Sequence, residues 1–403
     1  MKTDAIITIE SLRSGIPSAH SIKGTRNLRP DILERIDEDL GIVASGSICP
    51  GKIIWGEYGQ GKTHTLKQIE ALAKERNFAV SYVSINRELA FANFYDLFER
   101  LARGVSIPNS NIPGLLNSFA QQDFRSADFV SNIRHQLIHP LPAYILHSMS
   151  LVSSQEELLV LYSALCGSSK HFSMAKKIVR LHDRLLKTEI SSFRVSQHKA
   201  AFVQFFPQLL KFLGYKGWVI LLDELELIGR LGKISRLKSY LNLNRLLNWG
   251  EEKSVGLYCL GAGAKTLQEE VFFDKKRNDS ENIPLLATER ISREAGTALK
   301  SFFPNAVKNY KIDLYPVNRS QLNSVLEAIY QNYLQVFDWE SAPSFVSIVE
   351  SPEFEKLIHD RIREGIRGFI EFLDSLRLYG FADDLTISEV NEEYDLEEGS
   401  EAE

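Results

Sequence analysis

The chain has 403 residues, 44% hydrophobic and 25% charged, with 47 basic and 52 acidic side chains and a formal net charge of −5. This composition is typical of a globular protein with roughly two to three packed units, and no apolar run reaches the ~18 residues that a membrane-spanning helix needs. The three cysteines, Cys49, Cys166 and Cys259, are far apart and lack metal-ligand spacing, so we expect no disulfide framework and a reducing, cytoplasmic location.

The charge is unevenly distributed along the chain. The last 21 residues, 383–403, contain ten acidic side chains and no basic one. Without them 42 acidic and 47 basic residues remain, so residues 1–382 carry a formal charge of +5. We expect residues 382–403 to form a disordered acidic tail, because this segment lacks the apolar content to fold alone.

The N-terminal part of the chain predicts the start of an α/β domain. Residues 30–44 carry apolar side chains at helical spacing, with Pro30 in a first-turn position. A short apolar run at 53–55 precedes a glycine-rich loop, and the spacing after that loop predicts a second helix. A strand is predicted at 80–85 and a helix at 91–101. This order is typical of a parallel sheet with helical connections.

The remainder predicts a helical insertion, further strands and a second unit. Helical periodicities follow one another from about 105 to 217 without a clear strand. Strands are predicted at 218–222, 255–260 and 312–317, and residues 318–381 are helical throughout. We therefore expect an α/β domain over residues 1–317, with its insertion at about 105–217, and an all-α domain over 318–381.

One loop carries a phosphate-binding motif. The run GEYGQGKT, residues 56–63, matches G-x-x-x-x-G-K-[ST] at every fixed position and lies between the predicted strand and helix. Its three glycines let backbone N–H groups converge on phosphate oxygens. Lys62 supplies a catalytic cation to the β- and γ-phosphates, and the Thr63 hydroxyl is expected on Mg²⁺. The predicted nucleotide-binding residues are Gly56, Glu57, Tyr58, Gly59, Gln60, Gly61, Lys62, Thr63 and His64.

An acidic pair follows the strand predicted at 218–222. Asp223 and Glu224 come at the carboxyl end of this strand, where ligands bind in open α/β sheets. We expect Asp223 to hold Mg²⁺ directly or through water, and Glu224 to orient and polarise the attacking water. An adjacent Asp-Glu pair favours hydrolysis over phosphoryl transfer to a metabolite. Glu226 receives no role from the sequence.

These motifs resemble those of a known family. The chain looks like the ATP-binding proteins of BREX phage-defence systems, the BrxC/BrxD-type P-loop family, which is related to the initiator clade of AAA+ ATPases. The matching stretches are IESLRSGIPS (9–18), IKGTRNLRPDILERIDEDLGIVASG (22–46), GEYGQGKTHTL (56–66), IHPLP (138–142) and LLDELELI (221–228). The length fits the shorter, BrxD-like members. The resemblance implies an AAA+-like α/β domain, a helical lid domain at 318–381, and ATP with Mg²⁺ in a bacterial or archaeal defence context.

The resemblance also implies further site residues. The initiator pattern implies that the run 24–26 lies near the adenine and that a sensor arginine begins a lid helix. Arg367 is the candidate, and it fits an ordinary arginine on a helix surface equally well. An arginine finger that reaches the next subunit of a homo-oligomer would be Arg290 or Arg293, although each also fits an ordinary charged residue. The polar sensor expected after the strand at 255–260 is not obvious, and Thr266 is the available hydroxyl.

Two basic stretches predict contact with nucleic acid. Residues 170–199 contain eight Lys or Arg against two acidic residues, and residues 229–250 contain five and no acid. Such clusters neutralise phosphates, but a solvated helix face explains each of them as well. Taken with the resemblance to defence proteins, they favour DNA binding without sequence specificity.

Two functions stay open at this point. The first is an AAA+-type ATPase that binds DNA and loads or regulates a partner such as a helicase or nuclease. The second is a nucleotide-gated interaction protein with little turnover and no DNA contact. Glu224 and the basic stretches favour the first function, whereas the weak sensor element favours the second.

Overall fold

A five-stranded sheet organises residues 29–315. In the computed structural model its strands are β1 Lys52–Gly56, β2 Ala79–Ser84, β3 Trp218–Asp223, β4 Leu257–Ala264 and β5 Lys311–Asp313. They lie in the order β2-β3-β4-β1-β5, and each neighbouring pair is parallel. The carboxyl ends of β1, β3 and β4 therefore meet at one edge of the sheet.

The structure describes residues 2–14, 28–86, 91–110, 113–116, 119, 127–182, 190, 192–249, 256–355 and 362–380. The predicted acidic tail, 382–403, and the run 24–26 lie outside these residues. The described α-helices are α1 Lys2–Arg13, α2 Pro30–Ala44, α3 Lys62–Glu75, α4 Phe94–Arg103, α5 Ala127–Arg134, α6 Leu141–Met149, α7 Gln155–Leu165, α8 Phe172–His182, α9 Val195–His198, α10 Ala200–Phe212, α11 Lys233–Leu247, α12 Asp279–Arg290, α13 Arg293–Val307, α14 Arg319–Phe337, α15 Phe345–Val349, α16 Pro352–Glu355 and α17 Ile362–Tyr379. Within this set, no helix has the length and apolar character to cross a membrane.

The central strands β1, β3 and β4 are buried on both faces. Successive residues of a strand point to opposite sides, so Ile53 and Trp55 belong to one core cluster and Ile54 to another. Helices α2 and α3 cover the second cluster, while α4 to α8, α10, α11, α12 and α13 contribute to the first. Burial on both faces explains why these strands read as continuous apolar runs. The predicted α/β class is confirmed.

The chain between β2 and β3 is helical. Its described residues form α4 to α10, and outside the helices a single antiparallel bridge joins Ser106 to Val80. Aromatic side chains hold this region together; the rings of Phe172 and Phe202, for example, stack with centroids 4.6 Å apart. The sheet resumes at Trp218, directly after the segment predicted as an insertion.

Strand β4 extends four residues beyond its predicted end and includes the run Gly261–Ala264. A Cβ on Gly261 would lie 2.6 Å from Leu225 Cδ1, and a Cβ on Gly263 would lie 2.9 Å from the Trp55 ring. Small residues are therefore required where these two side chains pack against the strand. A pattern of large apolar residues does not reveal such a strand, so its end was predicted too early. β5 is shorter than predicted and covers only Lys311–Asp313.

The smaller unit combines the described residues of 1–28 with those of 316–380. Within it α1 packs against α14 and α17, and Ile9 and Leu12 of α1 share a core with Ile329 and Phe369. Arg13 adds an ion pair to Asp374 at 2.8 Å. The sequence predicted residue 1 as the start of the α/β domain, whereas the described part of the first 28 residues packs with the C-terminal helices.

Candidate nucleotide site

The phosphate loop joins the buried strand β1 to helix α3. Gly59 and Gly61 have φ angles of 78° and 85°, in the region that favours glycine. At Gly56 a Cβ would lie 2.9 Å from Gln60 Oε1, which itself accepts the Glu57 N–H at 2.9 Å. The glycines that the motif requires are thus needed by the loop backbone and by its internal hydrogen bond.

Lys62 is the first residue of α3, and only 9% of its surface is exposed. Its Nζ donates to the carbonyl oxygens of Gly56 and Glu57, at 3.1 and 3.0 Å, and lies 5.1 Å from the Tyr58 ring centre. Burial lowers the pKa of Lys62, and nearby carboxylates, chiefly Glu226, oppose this shift. The ammonium group is therefore held over the loop, where a phosphate would replace its carbonyl acceptors. Thr63 follows it and is half-buried.

Strand β3 delivers the two predicted carboxylates. Asp223 ends the strand, is 3% exposed, and its Oδ2 accepts a hydrogen bond from the Tyr82 hydroxyl at 2.6 Å. Glu224 follows with a φ of 60° and is exposed, and its Oε2 accepts from the Ser84 hydroxyl at 2.8 Å. The left-handed backbone at Glu224 turns the chain at the sheet edge, a conformation that is uncommon for a non-glycine residue. One carboxylate is thereby kept buried and the next one accessible to water.

Glu226, which had no role in the sequence analysis, lies in the site. Its Oε2 accepts the backbone N–H of Ala264, the last residue of β4, at 3.0 Å. Burial raises the pKa of the Glu226 carboxyl, and the positive charge of Lys62 opposes that rise. Glu226 therefore connects the turn after β3 to the end of β4, and its negative charge favours the protonated form of Lys62. The only signal in the sequence is the second glutamate in DELE.

Lys265 is a second residue that the sequence analysis missed. The register pairs Ala264 of β4 with Gly56 of β1, so Lys265 follows β4 where the phosphate loop begins. Its Nζ lies 3.8 Å from Glu57 Oε1, and the two side chains are 36% and 51% exposed. Thr266, the hydroxyl considered as a sensor, comes one residue later and is half-buried. A cation therefore directly follows the strand where the sequence analysis sought a polar sensor.

Arg29 supports the loop from the side of α2. This buried residue precedes α2, and its Nη2 donates to the carbonyl oxygens of Gln60 at 3.2 Å and Tyr315 at 2.9 Å. Burial, assisted by the charge of Arg29, lowers the pKa of His64 to about 4. His64 is therefore neutral at physiological pH. The two hydrogen bonds of Arg29 connect the phosphate loop to the segment that follows β5.

The three arginines predicted from the resemblance occupy different positions. Arg290 ends α12 and Arg293 begins α13, and both side chains are exposed. Arg367 lies on α17 of the smaller unit, and its buried Nε has no hydrogen-bond partner within the described residues. The structure thus brings Lys62, Asp223 and the loop together, while the roles of the arginines toward ATP stay predictions.

Comparison with known proteins identifies the family of the chain. The family model described as BREX system ATP-binding protein BrxC/D matches residues 2–128 and 181–399, which include both the phosphate loop and the acidic pair. No curated protein and no solved structure matches the chain. Because the match covers well over half of its residues, the chain belongs to the BrxC/D family of BREX system ATP-binding proteins.

Proposed function

We propose that this protein is a P-loop ATPase that hydrolyses ATP with Mg²⁺, binds DNA without sequence specificity, and loads or regulates a partner helicase or nuclease in phage defence. The observation that carries the proposal is the arrangement at one sheet edge of a buried cation, Lys62, a buried carboxylate, Asp223, and an exposed one, Glu224. This hydrolysis requires a cation that binds the phosphates, a ligand for the metal ion and a base that activates water.

The phosphate loop binds and orients the triphosphate in this proposal. Lys62 exchanges its two carbonyl acceptors for β- and γ-phosphate oxygens, and the start of α3 directs further N–H donors to them. The Thr63 hydroxyl and the Asp223 carboxylate are hard oxygen donors that fit Mg²⁺. The described residues include no group of three His, Cys, Asp or Glu able to hold a metal without the nucleotide. When bound, the ion neutralises charge on the phosphates.

Glu224 serves as the general base. Its carboxylate is exposed, so water has access to it, and the Ser84 hydroxyl fixes its direction. The water oxygen bonds to the γ-phosphorus while the bond to the bridging oxygen breaks, and Glu224 accepts the proton as ADP leaves. Asp223 is held by Tyr82 and stays in place during this step.

The DNA-binding part of the proposal rests on exposed cations. Two of the five basic residues in 229–250 serve the fold, because Arg236 pairs with buried Asp279 at 2.8 Å and Arg245 lies 4.0 Å from the Phe94 ring. The exposed ones are Arg230, Lys233 and Lys238. In 170–199 the exposed basic residues of the described part are Lys170, Lys177 and Arg194. Exposed Lys and Arg side chains of this kind neutralise phosphates.

The same proposal also covers the oligomeric state, the role of Arg367 and the location of the protein. The exposure of Arg290 and Arg293 supports a homo-oligomer in which one of them reaches the ATP of the next subunit. Arg367 would contact the nucleotide from the lid domain, as the family resemblance implies. We place the protein in the cytoplasm, where ATP, DNA and partner enzymes are present.

The test compares the wild type with Glu224→Gln. The glutamine retains an oxygen that can accept from Ser84 but cannot take the proton from water, so we expect ATP binding to be retained and turnover to fall by about a hundredfold or more. ATPase rates are measured without DNA, with single strands and with duplex. Glu289→Gln, at an exposed position on α12, is the matched control. ATP binding without turnover under every condition would instead establish the nucleotide-gated switch.

A further inference from the structure

Two basic loops that are distant in the sequence are in direct contact. One runs from the end of the 3₁₀ helix Leu225–Arg230 after β3 into the start of α11, and the other follows the π-helical turn Gln268–Phe272 after β4. Arg277 Nη1 donates to the carbonyl oxygen of Gly229 at 2.9 Å. A Cβ on Gly229 would lie 2.9 Å from Val271 Cγ2, so the two segments also pack closely. Residues 229–234 and 273–277 together are called the basic patch below.

The basic patch is strongly positive. Its basic residues, all exposed, are Arg230, Lys233, Lys275, Lys276 and Arg277. Its one acidic residue is Asp274, whose Oδ2 accepts the N–H groups of Lys276 at 2.8 Å and Arg277 at 3.2 Å. The Asp274 charge therefore serves the turn that presents the lysines. Along the chain the nearest acidic residues are Asp279, which is buried and pairs with Arg236, and Glu226 and Glu270, which lie in the turns after β3 and β4.

The basic patch also exposes apolar surface. Phe273 is 49% exposed and Ile234 is 46% exposed. The Phe273 ring is oriented by an edge-on contact with buried Phe272, at a centroid distance of 6.1 Å. An exposed ring among cations is the combination that binds single-stranded nucleic acid, because bases stack on the ring while Lys and Arg contact the phosphates. An acidic peptide with only charged side chains would contact the cations but would leave this ring without a stacking partner.

The basic patch borders the nucleotide site. Burial raises the pKa of the Tyr58 hydroxyl, Glu226 adds to the rise, and the charge of Arg230 opposes it, so Arg230 acts on the phosphate loop. The first loop of the patch leaves the turn that carries Glu226, and the second follows Lys265 after β4. A ligand on the basic patch therefore contacts segments that continue directly into the site.

We propose that the basic patch binds single-stranded nucleic acid without sequence preference, with the lysines on phosphates and Phe273 against a base. This inference rests on the proposed function and identifies the surface that makes its DNA contact. Nucleotide hydrolysis is not required for the contact itself.

The test uses the full chain carrying Glu224→Gln, so that binding is measured without turnover. A labelled oligothymidine of about 16 nucleotides is titrated by fluorescence anisotropy at several salt concentrations. We expect Lys275→Ala with Lys276→Ala to lower affinity by roughly tenfold and to reduce the slope of log K against log salt by about 1.4, since each single-strand phosphate contact contributes about 0.7. Phe273→Ala should lower affinity by about fivefold or more and leave the slope unchanged.

The control is Lys300→Ala, which removes an exposed lysine from α13 and should change neither quantity. Unchanged affinity in both patch variants, or an equal loss in the control, would overturn the proposal. Duplex binding that is equally tight and indifferent to Phe273 would overturn the single-strand assignment. Displacement of the oligonucleotide by polyglutamate at equal charge would identify an acidic protein partner instead. A wild type that binds the strand but never hydrolyses ATP would leave this inference standing and defeat only the ATPase proposal.

Discussion

The Glu226 carboxylate accepts a hydrogen bond from the backbone N–H of Ala264, 3.0 Å away. The same side chain is the leading negative charge acting on Lys62. Since β4 lies between β3 and β1 in the sheet, this contact spans the strand that separates the acidic pair from the phosphate loop. The turn after β3, the end of β4 and the loop are therefore connected through this side chain.

Replacing Glu226 tests this connection. Glu226→Ala should lower the free energy of unfolding by about 1–3 kcal/mol, because the buried N–H of Ala264 loses its acceptor. Glu226→Gln retains an oxygen acceptor and should cost clearly less. Urea denaturation of the two variants and the wild type measures the difference. Equal losses for Ala and Gln would mean that the hydrogen bond to Ala264 contributes nothing.

The ion pair between Lys265 and Glu57 predicts that Lys265 contributes more to the binding affinity for ATP than to that for ADP. Because both side chains are partly exposed, the pair is weak and can be exchanged for a nucleotide phosphate. We expect Lys265→Met to weaken ATP binding by about tenfold, because one hydrogen bond to the charged terminal phosphate is lost. ADP lacks that phosphate, so its binding should weaken much less. Glu57→Gln should tighten ATP binding, because it removes the competing carboxylate.

Fluorescent ATP and ADP analogues measure both affinities, with Lys300→Met as the control for loss of one positive charge. If Lys265→Met weakened both nucleotides equally, Lys265 would not contact the terminal phosphate. An unchanged Glu57→Gln variant would show that Glu57 does not compete for the lysine.

The part of the site that depends on a local motif was predictable from sequence. The loop glycines, Lys62 and the pair Asp223 and Glu224 follow from residue types at fixed spacing next to apolar strands, and the structure brings the loop and the pair to one edge of the sheet. A motif of this kind needs no knowledge of distant contacts.

The remaining site residues depend on contacts that a linear pattern does not contain. Lys265 reaches Glu57 because Ala264 is in register with Gly56, and β4 ends in small residues that have weak strand propensity. The contact between Glu226 and Ala264 depends on the same register. The basic patch was missed for a related reason. Residues 273–277 are too few to stand out as a basic stretch in the sequence, and only packing brings them against residues 229–234.

Gly261 tests why β4 has its small residues, and Gly41 of α2 provides the comparison. A Cβ at Gly261 would lie 2.6 Å from Leu225 Cδ1, so Gly261→Ala should lower the free energy of unfolding by about 1–3 kcal/mol. It should also reduce turnover, because Leu225 directly follows Glu224. Gly41 lies in α2 with no atom within 4 Å of an added Cβ, so Gly41→Ala should stabilise the protein by about 0.5–1 kcal/mol.

Thermal and urea unfolding, together with ATPase rates, compare these two variants. Gly232→Ala provides a control, because Gly232 follows the turn that carries Leu225 and an added Cβ there would have no atom within 4 Å. Tolerance of Gly261→Ala without loss of stability would contradict the close packing of Leu225 on β4.

The neutral state of His64 predicts a dependence of stability on pH. Burial and the charge of Arg29 lower its pKa from 6.5 to about 4, so the folded protein binds this proton only under more acidic conditions than the unfolded chain. Between these two values the unfolded state binds more protons, and stability therefore falls as pH decreases through the window. The contribution is complete above pH 6.5 and is lost by about pH 4, a change on the order of 2–3 kcal/mol.

His64→Gln removes the titrating group while keeping a polar side chain beside Arg29. The free energy of unfolding of the variant should therefore decrease less than that of the wild type between pH 6.5 and about 4. Urea denaturation across this range measures both curves, and their difference isolates His64 from the carboxylates, which titrate in both proteins. Parallel curves would show that His64 takes up its proton without cost to the fold, and that Arg29 does not hold it neutral beside the phosphate loop.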